Sequence, residues 1–173
     1  MAHISEEDHI KEVYARFGLA LYMSQVLEHG IVNALVVLDL IPNRRHTVRS
    51  KSEWEMLVDD FMEGRFKKTM GTLIKSLKAI RHIPPELENE MREALHQRNW
   101  LAHGFFRDRS TDFGSYTGRE KMLTEVDAAR DLFSRIDDAL EEIMNPLWHK
   151  AGITQEIFDQ AYQKILEEFH APR

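Results

Sequence analysis

The sequence predicts an all-α fold: a helical bundle of about five main helices, with a long first helix and another long helix after the central one. Three observations predict it. Apolar residues recur at i, i+3, i+4 and i+7 over most of the chain, the period of one helix face. No stretch of useful length alternates apolar and polar residues as a half-buried strand does. Proline and glycine fall where the periodic stretches end. With 173 residues, no internal repeat and no Pro/Ser-rich linker, residues 1–173 read as one domain able to bury a sizeable core.

The first helix reads from about Glu6 to Leu40, on Ile10, Val13, Phe17, Leu21, Ile31 and Leu35, and Pro42 is expected to close it. Glu28 breaks this stripe with a charge, and Ser24 weakens it one turn earlier. Ser52-Glu53-Trp54-Glu55 reads as a capping box opening a second helix, which Gly64 ends or bends. Its apolar face is Trp54, Leu57, Val58, Phe61 and Met62. Leu73, Ile74, Leu77 and Ile80 mark a third. Pro85 starts a fourth, which runs to about His103 and ends at Gly104 in left-handed geometry. Residues 104–118 read as a loop, rich in small polar residues with Phe105, Phe106, Phe113 and Tyr116 interspersed. A long helix follows from Arg119 to about Asn145, on Met122, Val126, Ala129, Phe133, Ile136, Leu140 and Ile143. Pro146 is expected to kink or end it. After Gly152, Thr154 can cap a final helix carrying Ile157, Phe158, Ala161, Ile165, Leu166 and Phe169.

The composition, 43% hydrophobic and 30% charged, suits a soluble globular protein. The absence of cysteine excludes disulfides, thiolate metal sites and a cysteine nucleophile, and fits a reducing cytoplasm. The start of the chain is polar and acidic, unlike a signal peptide, and the apolar run Ile31 to Ile41 is too short to span a bilayer. A cytoplasmic protein with no membrane partner is the expectation. The net charge of −6 disfavours nucleic acid, but its distribution is uneven. Arg44, Arg45, Arg49 and Lys51 form one stretch without an acid. Arg65, Lys67, Lys68, Lys75, Lys78 and Arg81 form another. Both read either as solvated faces or as surfaces that attract phosphate.

Chemistry gathers at Arg98-Asn99-Trp100-Leu101-Ala102-His103-Gly104. Arg98 falls on the apolar stripe of Leu87, Met91, Ala94 and Leu101, where a charge needs a partner. Glu28 interrupts its own stripe with the opposite sign, so the two are expected to pair, Glu28 orienting Arg98. Arg98 and Asn99 offer donors that match phosphate oxygens. His103 stands at a helix C-terminus, where the dipole favours a cation, and suits acid/base work. Plainer roles fit the same residues: an ion pair, a surface amide and a helix cap. Glu93-x-x-His96 and Glu6-x-x-His9 match half of a carboxylate-bridged metal motif, but the second copy lies on an acidic N-terminus expected to fray, so no metal and no cofactor is expected. Trp54, Trp100 and Trp148 read as core or interface contacts, with Trp100 turned toward a neighbouring helix.

The segment Arg98 to Phe105 resembles the signature of the HEPN superfamily, Arg, four to six residues, then His, often with a polar residue after the Arg, here Asn99. The resemblance implies a helical bundle, a homodimer with two motif copies facing one another, and metal-independent endoribonuclease activity in a toxin or phage-defence setting. Non-catalytic nucleotide- or partner-binding members of the superfamily exist as well. It implies that Arg98, Asn99 and His103 carry catalysis. One branch continues His-x-Tyr, the tyrosine being modified by a nucleotidyltransferase. Phe105 stands at that position here, which removes that mode of neutralisation, although an antitoxin protein stays among the implied partners. RNA would be guided by Arg44, Arg45, Arg49 and Lys51 and by Arg65, Lys67 and Lys68.

Overall fold

The computed structural model describes residues 5–80, 83–152 and 154–170. It is an all-α bundle, with no strand among the described residues. The core is built by three helices: α1 (Glu6–Leu35), α5 (Pro85–His103) and α8 (Tyr116–Lys150). Helices α1 and α8 run parallel, since His9 lies beside Glu120, Arg16 beside Asp127 and Gly30 beside Asp137. Helix α5 runs antiparallel to both: Phe105, just past its end, meets Phe17, and Glu90 near its start meets Arg135. The predicted stripes fill the space between them. Leu27, Ile31 and Leu35, Met91 and Leu101, and Met122, Phe133, Ile136 and Leu140 are all buried.

Helix α3 (Lys51–Phe66) and α4 (Met70–Ile80) cover the far half of α1. Helix α3 is capped by Ser50, two residues earlier than the sequence suggested: its hydroxyl accepts from Glu53 N–H, and Glu53 reaches back to Arg49 N–H. Gly64 does not end it. None of its residues is fully buried, so it is a cover rather than a core element. Helix α4 turns back along α5, with Gly71 against Leu95 and Lys78 paired with Glu88.

Neither Pro42, expected to close its helix, nor Pro146, expected to kink or end its own, stops the chain from continuing in helix. Before Pro42 the helix widens into a π turn, Val36–Leu40, in which Ile41 N–H reaches the carbonyl of Val36. A new turn, α2 (Ile41–Arg44), then begins, and Pro42 sits in its first turn, where no N–H is needed. Pro146 likewise lies inside α8, which runs on to Lys150 and closes through Gly152, whose φ of 77° is left-handed. Residues Glu6–Thr47 contain an 18-residue window apolar enough to cross a membrane by length and composition, and 56% of that window is buried. Burial against α5 and α8 accounts for that apolarity.

The expected loop after His103 is the largest correction. It folds as two short helical turns, α6 (Phe105–Asp108) and α7 (Ser110–Phe113). Gly104 is not left-handed: its φ is −127°, and its carbonyl accepts Asp108 N–H at 2.9 Å, so the chain winds on into α6. A side chain there would crowd Trp100 Cδ1 at 3.1 Å and Asp108 Oδ2 at 3.3 Å. The reason for order is aromatic. Phe105 is buried against Phe17 and Trp100, with ring centroids 5.4 and 5.0 Å away, and Phe106 packs on Phe17 at 4.8 Å and Tyr14 at 5.5 Å. The final helix, α9 (Gln155–His170), makes no extended contact with another helix among the described residues.

Candidate functional site

Helix α5 presents Leu87, Met91, Ala94 and Leu101 to the core, and Arg98 lies on the same stripe. Its guanidinium meets α1, where Nε lies 3.2 Å from Glu28 Oε1, with side-chain exposures of 34% and 23%. The two charges that break their stripes therefore face each other. The contact is ionic rather than an aligned hydrogen bond, because Glu28 Oε1 is buried and accepts none. Arg98 Nη1 donates to Asn99 Oδ1 at 3.2 Å, so one guanidinium ties the interhelical carboxylate to an exposed amide. No acceptor among the described residues meets its remaining terminal nitrogen. That edge of the guanidinium is free to take an anion.

His103 does not join this group within one chain. Five residues of α-helix turn it about 140° away from Arg98. It is exposed, and no group among the described residues hydrogen-bonds to its ring. It stands at the end of a face that also carries His96 and Asn99, next to an open groove of about 550 Å³ between α5 and α8 that is lined by His96, Trp100, Arg109, Glu125 and Arg135. Trp100 is held, not free to stack: its Nε1 donates to Asp108 Oδ2 at 3.1 Å, and the Arg109 guanidinium lies 5.3 Å from its ring. Arg109 is in turn gripped by both carboxylate oxygens of Glu125 at 2.7 Å, which pins the turn after His103 to α8. Neighbouring Arg107, with help from the Trp100 N–H, holds the Asp108 carboxyl below the usual carboxylate range.

The two basic stretches separate in space. Phe66 packs on the His29 ring at 4.5 Å and Gly71 lies against Leu95, which brings Lys67 and Lys68 to the level of Glu28, while Lys75 lies further toward the start of α5, between the Gly71–Leu95 and Lys78–Glu88 contacts. Lys67 pairs with Glu63 at 2.6 Å, and Arg65 pairs with Asp39 at 3.2 Å while lying over the Phe61 ring. Lys68 and Lys75 are exposed and make no ion pair among the described residues. Arg44 and Arg45 sit further along the same helical run, past the π turn and about 25 Å from Glu28 at 1.5 Å per residue, and Arg49 and Lys51 follow where the chain leaves it at Val48. There Arg45 donates to the Ala151 carbonyl at 2.6 Å and Lys51 reaches Glu55 at 3.5 Å. Arg81 lies outside the described residues.

Sequence reading missed a buried polar centre. His9 was expected on a frayed terminus, yet it is 2% exposed, because Ser5 caps α1 and Arg119 reaches across from α8. Arg119, 4% exposed, donates through Nε to His9 Nδ1 at 3.2 Å. A guanidinium can only donate, so Nδ1 is the bare nitrogen and Nε2–H donates to Glu120 at 2.7 Å. Arg119 also donates to the Phe113 carbonyl at 2.9 Å, and Tyr116 lies 4.5 Å from the imidazole. With both ring nitrogens engaged, His9 is an anchor between α1 and α8 rather than an acid/base. The signal was present: Arg119 lies three residues before Met122 and His9 four before Val13, each on its helix's apolar stripe. Among the described residues, no three histidine, aspartate or glutamate side chains gather as a metal site would require. The chain matches no known family model, no curated protein and no solved structure.

Proposed function

We propose that the chain is a metal-independent endoribonuclease of the HEPN type that cleaves RNA in the cytoplasm by attack of a ribose 2′-hydroxyl on the adjacent phosphate. The observation that carries it is Arg98: a guanidinium fixed on an apolar stripe by Glu28 and Asn99, with an open donor edge, five residues before an exposed imidazole. Arg98 and Asn99 hold the scissile phosphate and stabilise its developing charge. His103 moves the proton, as base toward the 2′-hydroxyl or as acid toward the leaving 5′-oxygen. Lys67, Lys68 and Lys75, on the connector and helix that cover this part of α1 and α5, guide the backbone.

Arg98 and His103 diverge within one chain, so the reading calls for a homodimer in which they meet across the interface. The outward side of α1 next to the motif supports that pairing: Tyr14, Ala15, Gly18, Leu19, Tyr22 and Gln25 are exposed there, and none is charged. The test is cleavage of a single-stranded RNA in excess chelator, with products ending in a 2′,3′-cyclic phosphate. His103→Ala is expected to abolish it, and undiminished cleavage would overturn the assignment. A second reading, a non-catalytic HEPN-like module for a nucleotide or partner protein, draws on the same ion pair, which joins α1 to α5 as a structural contact would. If Arg98→Ala unfolds the chain or separates the dimer, that reading gains. If the fold survives and cleavage is lost, the ribonuclease stands.

A further inference from the structure

The groove between α5 and α8 lies beside His103, but the chemistry assigned to Arg98, Asn99 and His103 does not use it. Its volume of about 550 Å³ is that of a small-ligand site. Ala129 and Leu132 of α8 are buried and, with Ala128, form an apolar floor. Among the described residues its walls hold two acids, Glu93 and Glu125, and two arginines, Arg109 and Arg135, so the charges balance. Such a site does not draw a phosphate. It suits a flat, uncharged group that makes hydrogen bonds through its edges.

The two ends of the groove differ. Near His103 the polar groups are spent: Glu125 holds Arg109 with both oxygens, Arg109 covers the Trp100 ring, and the Trp100 N–H goes to Asp108. At the far end they are not. Arg135 donates through Nε to Glu90 at 2.9 Å, and no acceptor among the described residues meets its two terminal nitrogens. They leave a two-pronged donor edge on the α8 wall. Glu93, on the α5 wall, follows Glu90 by one turn and so lies near the level of Arg135. Its Oε1 accepts from the Gln97 amide at 2.6 Å, which fixes the carboxylate. Its Oε2 has no partner among the described residues.

We propose that this far end binds guanine and selects RNA carrying a guanosine near the cut, a role that rests on the ribonuclease reading. Arg135 takes the O6 and N7 acceptors of the base through its two terminal nitrogens. Glu93 Oε2 accepts from the N1–H and amino donors on the neighbouring edge. The ring lies over Ala128 and Leu132, where loss of water strengthens both contacts. The other bases fit less well. Adenine has a bare N1 where guanine carries a hydrogen, and an amino group where guanine has O6, so it meets both charges with the wrong sign. Uracil offers one group to each but lacks the paired acceptors that match a guanidinium fork. Cytosine puts an amino donor in place of O6. Glu93 lies about 15 Å along α5 from His103 at 1.5 Å per residue. The base read is therefore not the one at the cut but another further along the strand.

Binding is measured on the full chain carrying His103→Ala, so that no RNA is cut during the assay. The probes are a fluorescent oligouridine with one central guanosine, the same strand with adenosine there, and oligouridine alone, compared by anisotropy at one salt concentration. The guanosine strand should bind about tenfold tighter than the other two. Arg135→Lys keeps the charge and loses the fork; Glu93→Gln keeps the shape and loses the carboxylate. Each should bring the guanosine strand to the level of the adenosine strand and leave the latter as it was. Both side chains are exposed, and thermal unfolding verifies that the variants fold. Equal binding of the three strands overturns the proposal, as does a guanosine preference that survives both variants. Failure of the underlying reading looks different. Wild-type cleavage without any preference for guanosine in binding overturns this proposal and leaves the ribonuclease standing. A guanosine preference in a chain that cuts no RNA supports the groove and removes the ribonuclease.

Discussion

The Glu28–Arg98 contact can be measured by a double-mutant cycle of Glu28→Gln, Arg98→Met and the two combined. At the observed separation of 3.2 Å, two unit charges attract by about 5 kcal/mol at an effective dielectric constant of 20. Most of that is cancelled. The pair keeps 34% and 23% of its side-chain surface in water, and Glu28 Oε1 has lost its hydration without gaining a hydrogen bond. A net coupling of about 1–2 kcal/mol remains, above the usual value for an exposed pair. Urea unfolding of the four proteins reads it. Each single variant should lose about 1–2 kcal/mol, and the double should lose less than the sum, because neither charge is left facing an apolar stripe alone. Salt should change the coupling little, since the contact is closer than the screening length. A coupling under about 0.3 kcal/mol would refute the argument that each charge is explained by the other. If RNA cleavage is present, Glu28→Gln should lower kcat more than it raises KM, because it disturbs the orientation of Arg98 and not the binding surface.

Other consequences are independent of function. Gly30→Ala places a methyl 1.9 Å from Asp137 Oδ1, so the half-buried Asp137 side chain must move aside, and should destabilise by about 1–3 kcal/mol in thermal unfolding. Gly18→Ala meets nothing within 4 Å and should stabilise by about 0.5–1 kcal/mol. Burial, aided by Glu141 and Asp138, raises the Asp137 carboxyl to about 6. The folded state therefore holds that proton more tightly than the unfolded chain does. Its contribution to stability is fully present below about pH 4 and is lost as pH rises through about 6. Asp137→Asn should raise the Tm at pH 7 by the equivalent of about 1 kcal/mol, water still reaching the carboxylate, and should flatten stability over that window. His9→Phe keeps the ring contact with Tyr116 but leaves Arg119 Nε without its acceptor in a site 4% exposed, at a cost of about 2–4 kcal/mol by urea titration. His9→Phe with wild-type stability would mean that Arg119 finds another partner.

Much of this molecule is legible in one dimension because helix periodicity is local. A residue's face depends on neighbours three and four positions away, so the stripes of α1, α5 and α8 were visible without a fold. So was the clash of Glu28 and Arg98 with their stripes. Two opposite charges on apolar faces have few ways to be satisfied, and the structure puts them 3.2 Å apart. What escaped depends on partners distant in the chain. Pro42 and Pro146 signal ends, but a π turn and a tolerated missing N–H let the backbone pass through them. The segment after His103 has a loop's composition. It is ordered because Phe17, eighty-eight residues before Phe105, offers a surface for it. His9 looked frayed because Arg119 is 110 residues away.

The sequence by itself determined the all-α class, the buried faces of the long helices and the oddity of Arg98. Only the tertiary structure decided what that arginine does locally: it binds Glu28 across the α1–α5 seam, touches Asn99, and leaves His103 on another side of the helix. The physical reason is the turn of the α-helix. Spacing along the chain fixes the angle between two side chains, but which neighbouring helix occupies each angle is set by packing.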